Sequence, residues 1–267
     1  MRRKTLRAGV VKLVSGFGLH AGPRMDAAAI RELLRELRPI DAGIELKRVG
    51  PAGDGGYLVP DDLEGIRYVF SPGVSTESGF EAELADRGLP VFLADASVDG
   101  PALAHPRFVF DKKFVGSLTN ERYMTLDDWH TAKLPGDRSE LLLQMDIEGG
   151  EYDTLLAASP ALLARFRILV IEFHWLAELW GEAFFAVASR AFRKLLQTHS
   201  VVHIHPNNCC GSVKADGLEL PRIAEFTLQR NDRLKRRAYR GTFPHPLDRD
   251  NTRKATLVLP RCWYEQE

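Results

Sequence analysis

The chain has 267 residues, 45% of them apolar and 27% charged, enough to bury one large α/β core or two small ones. Its 36 lysines and arginines are balanced by 36 acidic residues, so no net basic field exists to gather nucleic acid or an anionic membrane. Three cysteines, Cys209, Cys210 and Cys262, lack the number and spacing of a disulfide framework or zinc site and read as reduced thiols near a strand end.

The N-terminal end is locally basic (Arg2, Arg3, Lys4, Arg7, Lys12, Arg24), the pattern of a solvated, loosely ordered terminus over residues 1–25. Ala8 to Leu19 is too short and interrupted to span a bilayer, and no small-residue cleavage site follows it. A cytoplasmic protein without an integral membrane segment is expected. Asp26 opens a helix whose Ile30, Leu33, Leu34 and Leu37 share a face, ended by Pro39. Ile44 to Val49 alternates like a strand, Gly53 to Gly56 turns, and Tyr57 to Val59 returns, which predicts a β-hairpin ahead of the main sheet. Helix and hairpin make residues 26–66 an addition to a domain over 67–267.

Apolar strands then alternate with amphipathic helices. Strands are predicted at Arg67–Phe70, Pro90–Ala94, Arg107–Phe110, Leu141–Met145, Ile168–Ile171, Val201–Ile204 and Arg222–Leu228. Helices are predicted at Ser78–Arg87, at Glu151–Ala164 with a break near Pro160, and at Glu182–Thr198. This rhythm implies βαβ units and an α/β fold: a seven-stranded, mostly parallel sheet with helices on both faces. Right-handed crossovers place ligands at the carboxyl ends of such strands. Ser71, Asp95, Asp111, Asp146, Glu148, Glu172, His174 and His205 all fall there.

Those polar residues divide by chemistry. After the first strand, Ser71-Pro-Gly73 occupies the place of a glycine-rich turn, where a glycine lets backbone approach a ligand. Neither G-x-G-x-x-G nor G-x-x-x-x-G-K-[ST] is present, which disfavours dinucleotide and ATP-phosphate cradles. Asp95 ends the second strand, where an acidic side chain can accept from both ribose hydroxyls of a cofactor. In Asp146-Ile-Glu-Gly-Gly-Glu151, two carboxylates leave a buried strand and paired glycines turn the chain into a helix, whose dipole Glu151 favours. Asp146 and Glu148 are suited to orienting a substrate hydroxyl, holding an amino group or ligating a divalent cation. His174 and His205 are candidate bases, because imidazole titrates near neutral pH. Asp146, Glu148 and His174 together are the candidate metal ligands. The run Arg230 to Arg240 reads as a solvated basic surface.

Leu141 to Leu155, with its Asp146-Ile-Glu-Gly-Gly-Glu151 centre, resembles the characteristic segment of the FkbM family of methyltransferases. Thr125-Leu-Asp-Asp-Trp129, Leu169 to His174, His203 to Asn208 and the Asp54-Gly-Gly-Tyr57 hairpin resemble further family segments in the same order, so the likeness spans roughly residues 45–210. Gln144 stands where the family usually has lysine, and the first loop has one nearby glycine rather than several. The resemblance implies a class I (Rossmann-like) methyltransferase domain over 67–267, S-adenosylmethionine as cofactor, and O-methylation of a sugar, glycan or secondary metabolite. With that cofactor, the expected contacts are Ser71, Gly73, Glu77, Asp95 and Asp146, and the expected catalytic residues are His174, His205 and Glu148. The implied partner is a small-molecule or glycan substrate. A nicotinamide-dependent oxidoreductase and a non-catalytic scaffold are the alternatives; the missing dinucleotide fingerprint weighs against the first and the intact carboxylate–histidine set against the second. No D-x-D follows a strand as a glycosyltransferase would need.

Overall fold

The computed structural model describes residues 22–74 and 76–265. Arg2, Arg3, Lys4, Arg7, Lys12 and the Ala8–Leu19 stretch lie outside them. Arg24, expected at a loose end, is docked: its guanidinium lies 4.4 Å from the Trp180 ring centroid and 3.0 Å from Asp216 Oδ2. Helix α1 (Ala27–Glu36) starts where the Asp26 carboxylate accepts from the Ala28 N–H, and it buries Ile30, Leu33 and Leu34. The hairpin pairs β1 (Leu46–Val49) with β2 (Tyr57–Pro60), antiparallel, with Val49 opposite Tyr57.

The main sheet contains β3 (Ile66–Pro72), β4 (Val91–Ala94), β5 (Phe108–Asp111), β6 (Glu140–Met145), β7 (Phe166–Phe173), β8 (His199–Pro206) and β9 (Ala224–Arg230). Their order across the sheet is β8-β9-β7-β6-β3-β4-β5. All neighbours are parallel except β9, which runs antiparallel to both β7 and β8. The last strand begins at Ala224 and not at Arg222. The Arg222 backbone is engaged elsewhere, its N–H donating to Gly211 O and its carbonyl accepting from Leu176 N.

Successive strand residues alternate between two cores. On one face Phe70, Leu143, Leu169, Ile171 and Phe226 meet Trp129 of α3 (Leu126–Lys133), Leu155 of α4 (Glu151–Ala157) and Phe192 of α6 (Glu182–Leu196). On the other, Val69, Val91, Leu142, Ile168 and Val170 meet Phe80 and Leu84 of α2 (Gly79–Asp86) together with Val59 of the hairpin. The break near Pro160 separates α4 from a single turn, α5 (Pro160–Leu163), because proline has no N–H to continue the ladder; Ser159 Oγ caps the new turn by accepting from Leu162 N.

One expectation is corrected. Cys209 and Cys210 form a vicinal disulfide in the turn after β8, which Asn207 Oδ1 closes by accepting from Cys209 N; only Cys262 is free. The Arg230–Arg240 run leaves Lys235, Arg236 and Arg237 exposed to solvent, while Arg230 pairs with Glu140 and Asp232, Arg233 with Asp62, and Arg236 with Asp41. Beyond Arg240 the chain folds back, burying Leu259 and Trp263. No described helix is long and apolar enough to cross a membrane.

Candidate active site

The strand order reverses between β3 and β6, and the loops leaving these two strands meet there. Asp146 N donates to Pro72 O at 3.2 Å, Gly73 N to Ala94 O at 3.0 Å, and Asp95 N to Asp111 O at 3.2 Å, so the sheet's registry continues into its loops. Gly73 has φ +94°, and a Cβ there would stand 1.5 Å from Asp146 O; only glycine permits this approach. Above this point opens a cavity of about 650 Å³, lined by Gly73, Asp95, Asp146 and Glu148 and walled by Val115, Leu118 and Tyr123 of the segment after β5. The wall was not legible in the sequence, because its apolar residues follow neither a helical nor a strand period.

Asp95 is buried and fixed. Its Oδ1 accepts from both the N–H and the hydroxyl of Ser97 at 2.6 Å, leaving Oδ2 without a partner among the described residues. Ser71 does not line the cavity: its Oγ lies 2.6 Å from both Glu81 Oε1 and Gln144 Oε1, beneath the hairpin. Gln144, at the family's lysine position, also donates to Tyr57 OH at 3.2 Å. Glu77 is absent from the lining too, its Oε1 accepting from the N–H groups of Ser78 and Gly79 at the start of α2. Both polar side chains are consumed by local structure before they can reach a ligand.

The third group is centred on His174, which is buried just past β7. Its Nδ1 lies 3.1 Å from Oε1 of Glu151, a carboxylate with no exposed surface. The same oxygen accepts from Ile147 N at 3.2 Å and Gly149 N at 3.0 Å, so Glu151 ties the β6–α4 loop to the imidazole. The sequence suggested a helix-dipole residue; its contact with His174, 23 positions away, depends on tertiary packing. The His174 Nε2 side faces Glu148 Oε2 at 3.3 Å, Glu172 Oε1 at 3.8 Å and Asp146 Oδ1 at 3.9 Å. Glu148 has φ +56°, a left-handed turn followed by Gly149 at +102°, where a Cβ would collide with the Trp175 ring at 2.5 Å.

Charge crowding sets the protonation of this group. Burial, reinforced by Glu148 and Glu151 against the pull of His174, pushes the Asp146 carboxyl up to about 7. Burial beside Asp146 and Glu225 holds Glu172 well above the usual carboxylate range. Burial pulls His174 down, but the Glu151 bond and the charges of Asp146 and Glu148 outweigh it and hold the imidazole above its ordinary value.

His205 belongs to a neighbouring network. Strand register sets Glu225 opposite both Glu172 and His205, so a row of polar side chains crosses β7, β9 and β8 beneath the hairpin. Asp248, from the folded-back tail, accepts from His203 Nε2 at 2.8 Å and stands 3.7 Å from His205 Nδ1. These contacts outweigh burial and hold Asp248 below the usual carboxylate range. Asn251 donates to Glu225 Oε1 at 2.7 Å and to Asp54 Oδ1 at 3.1 Å, linking hairpin turn, tail and sheet. His205 lines a separate cavity of about 350 Å³ with Phe243, His245 and Asp248, and is not part of the cavity that holds Asp95 and Asp146. Nothing in the tail's sequence pattern marked Asp248 or Asn251.

Residues 88–198 match the family model of the methyltransferase FkbM domain. No curated protein matches the chain. Among solved structures, the Burkholderia thailandensis 1,6-didemethyltoxoflavin-N1-methyltransferase with bound 1,6-didemethyltoxoflavin and S-adenosylhomocysteine is 15% identical, over 77% of this chain and 79% of that one, at a TM-score of 0.32. A structure described as the conversion of a disulfide bond into a thioacetal group during echinomycin biosynthesis is 17% identical, over 77% of this chain and 93% of that one, also at 0.32. Likenesses this distant leave the site to be argued from its own residues.

Proposed function

We propose that the chain, whose residues 88–198 match the family model of the methyltransferase FkbM domain, uses S-adenosylmethionine to methylate a hydroxyl of a sugar, glycan or secondary metabolite. The supporting observation is the cavity of about 650 Å³ at the strand-order reversal, with Asp95 and Asp146 in its lining. Counted in chain order within the sheet, the strands run 3-2-1-4-5-7-6 with the last antiparallel, as a class I methyltransferase fold implies.

The division of labour follows from the side chains. Asp95 Oδ2 accepts from the ribose hydroxyls while Ser97 holds Oδ1. Gly73 lets the loops after β3 and β6 close on each other, which sets Asp146 in the lining beside the methionine portion. A sulfonium needs no phosphate cradle, which accounts for the missing dinucleotide fingerprint. The acceptor hydroxyl lies against Asp146 and Glu148 in the cavity lining, with the buried His174 behind them. Its oxygen lone pair forms the O–C bond as the C–S bond breaks, the electron pair returning to sulfur to leave a neutral thioether. The hydroxyl proton passes to the carboxylates around His174. Because the sulfonium is already a good leaving group, positioning supplies much of the rate.

Calorimetric titration of the protein with S-adenosylhomocysteine, with NADH as control, tests this reading. One site per chain, weakened at least about tenfold by Asp95→Ala, is expected. Binding of NADH in its place would support the oxidoreductase alternative, and a folded protein that binds neither would support the scaffold.

A further inference from the structure

We propose that Asp146, Glu148 and His174 bind a divalent metal ion beside the cofactor cavity. The three offer ligand atoms that all lie within 4.8 Å of one another. The Nε2 distances of 3.3 Å to Glu148 and 3.9 Å to Asp146 approach the spacing that a shared ion imposes: ligands about 2.1 Å from a metal stand about 3.0–3.4 Å apart at octahedral or tetrahedral angles.

Two further observations point to a ligand and not merely to crowded acids. The Asp146 Oδ1 atom is buried and has no hydrogen-bond partner among the described residues. The His174 side chain is 6% exposed, and its Nε2 makes no hydrogen bond among the described residues although three carboxylates surround it. Glu151 meanwhile engages Nδ1, the outer-shell carboxylate–histidine arrangement that orients an imidazole toward a metal. Four carboxylates, Asp146, Glu148, Glu151 and Glu172, thus face one ring, and no lysine or arginine of the described residues pairs with any of them. A divalent cation on Nε2 supplies the missing positive charge in place of a proton.

Two carboxylates suit a hard divalent ion and the imidazole favours a transition metal over Mg²⁺ or Ca²⁺, so Mn²⁺ is the ion used to probe the site. The site's purpose, though not its existence, rests on the methyl-transfer reading: an ion here would hold the acceptor oxygen and favour loss of its proton.

Full-length protein, treated with chelator and dialysed, is titrated with MnCl₂ while electron paramagnetic resonance follows free Mn²⁺. One ion per chain is expected, with affinity falling at least about tenfold in Asp146→Asn and in Glu148→Gln. The Glu148 side chain is 87% exposed, so that variant folds as the parent does and keeps the test decisive. Absence of stoichiometric binding, or binding unchanged in both variants, overturns the proposal. S-adenosylhomocysteine titrated in the presence of chelator reads the cofactor cavity separately. Nucleoside binding without Mn²⁺ binding sinks the metal site alone, and the reverse result sinks the methyl-transfer reading alone.

Discussion

Glu151 and His174 meet through a 3.1 Å contact between Oε1 and Nδ1, and the same oxygen receives the N–H groups of Ile147 and Gly149. One carboxylate therefore sets both the ring orientation and the loop that carries Asp146 and Glu148. Glu151→Ala leaves two backbone donors and a buried imidazole without their acceptor, and is expected to cost about 3 kcal/mol. Glu151→Gln keeps an oxygen for the loop N–H groups and is expected to cost less than half as much. Urea denaturation of the two variants beside the parent measures the difference; equal costs would show that loop bonding is not what Glu151 contributes.

Gly73 makes a second prediction at the opposite loop. An added Cβ would meet Asp146 O at 1.5 Å on a backbone held at φ +94°. Gly73→Ala is expected to destabilise by roughly 2–4 kcal/mol and to weaken S-adenosylhomocysteine binding, because β3 and β6 can no longer close on each other. Gly88→Ala is the control. It too has positive φ, +96°, but nothing lies within 4 Å of its added Cβ, so it carries the conformational cost without the collision. Denaturation and calorimetry on both variants separate the two effects.

The fold was legible because the buried strands are apolar runs, most of them ended by an acid or histidine, and such runs need no tertiary information to be seen. The structure sets Asp95 and Asp146 in one cavity lining and leaves Ser71 and Glu77 outside it, because position after a strand does not say whether a side chain points into a cavity or back into local hydrogen bonds: Ser71 turns under the hairpin to Glu81 and Gln144, and Glu77 caps α2. Asp248 and Asn251 were invisible, since they belong to a tail without periodicity that gains meaning only by packing on His203 and Glu225. His174 and His205 looked alike in sequence, yet β9 inserts between β7 and β8, leaving His174 against Asp146 and Glu148 and His205 in the cavity with Asp248.

His199 supplies a pH-dependent term independent of the active site. Its Nε2–H donates to Phe166 O at 2.7 Å and its Nδ1 accepts from the Thr198 hydroxyl at 2.8 Å, which fixes the neutral ring. Burial pushes the imidazole down to about 4, below the 6.5 of an unfolded histidine. The unfolded chain therefore binds more protons between these values, and stability must rise with pH across that window. The contribution is complete above pH 6.5 and is lost as pH falls through 4, an amount of about 3 kcal/mol. His199→Gln, which retains an N–H donor for Phe166, is expected to flatten the curve of urea midpoint against pH between 7 and 4 relative to the parent. Parallel curves would show that another group titrates there.

Glu140 separates buried from exposed ion pairing. It takes Arg167, whose side chain is 4% exposed, and Arg230, which also holds Asp232 at 2.7 Å. Arg167 has further acceptors in Asp62 O at 2.8 Å and Glu64 O, so its guanidinium is built into the edge where β6 and β7 begin. Glu140→Ala leaves this buried cation with a missing carboxylate and is expected to cost about 3 kcal/mol. Asp232, exposed and sharing Arg230 with Glu140, should lose less than about 1 kcal/mol on substitution by alanine, because solvent screens the pair and holding two mobile side chains costs entropy. Thermal and urea denaturation at 0.1 M and 1 M salt check the contrast. Added salt screens exposed charges far more than buried ones, so the Asp232→Ala difference should vanish at 1 M while the Glu140→Ala difference persists. A Glu140→Ala cost that vanished with it would mean that Arg167 reaches water.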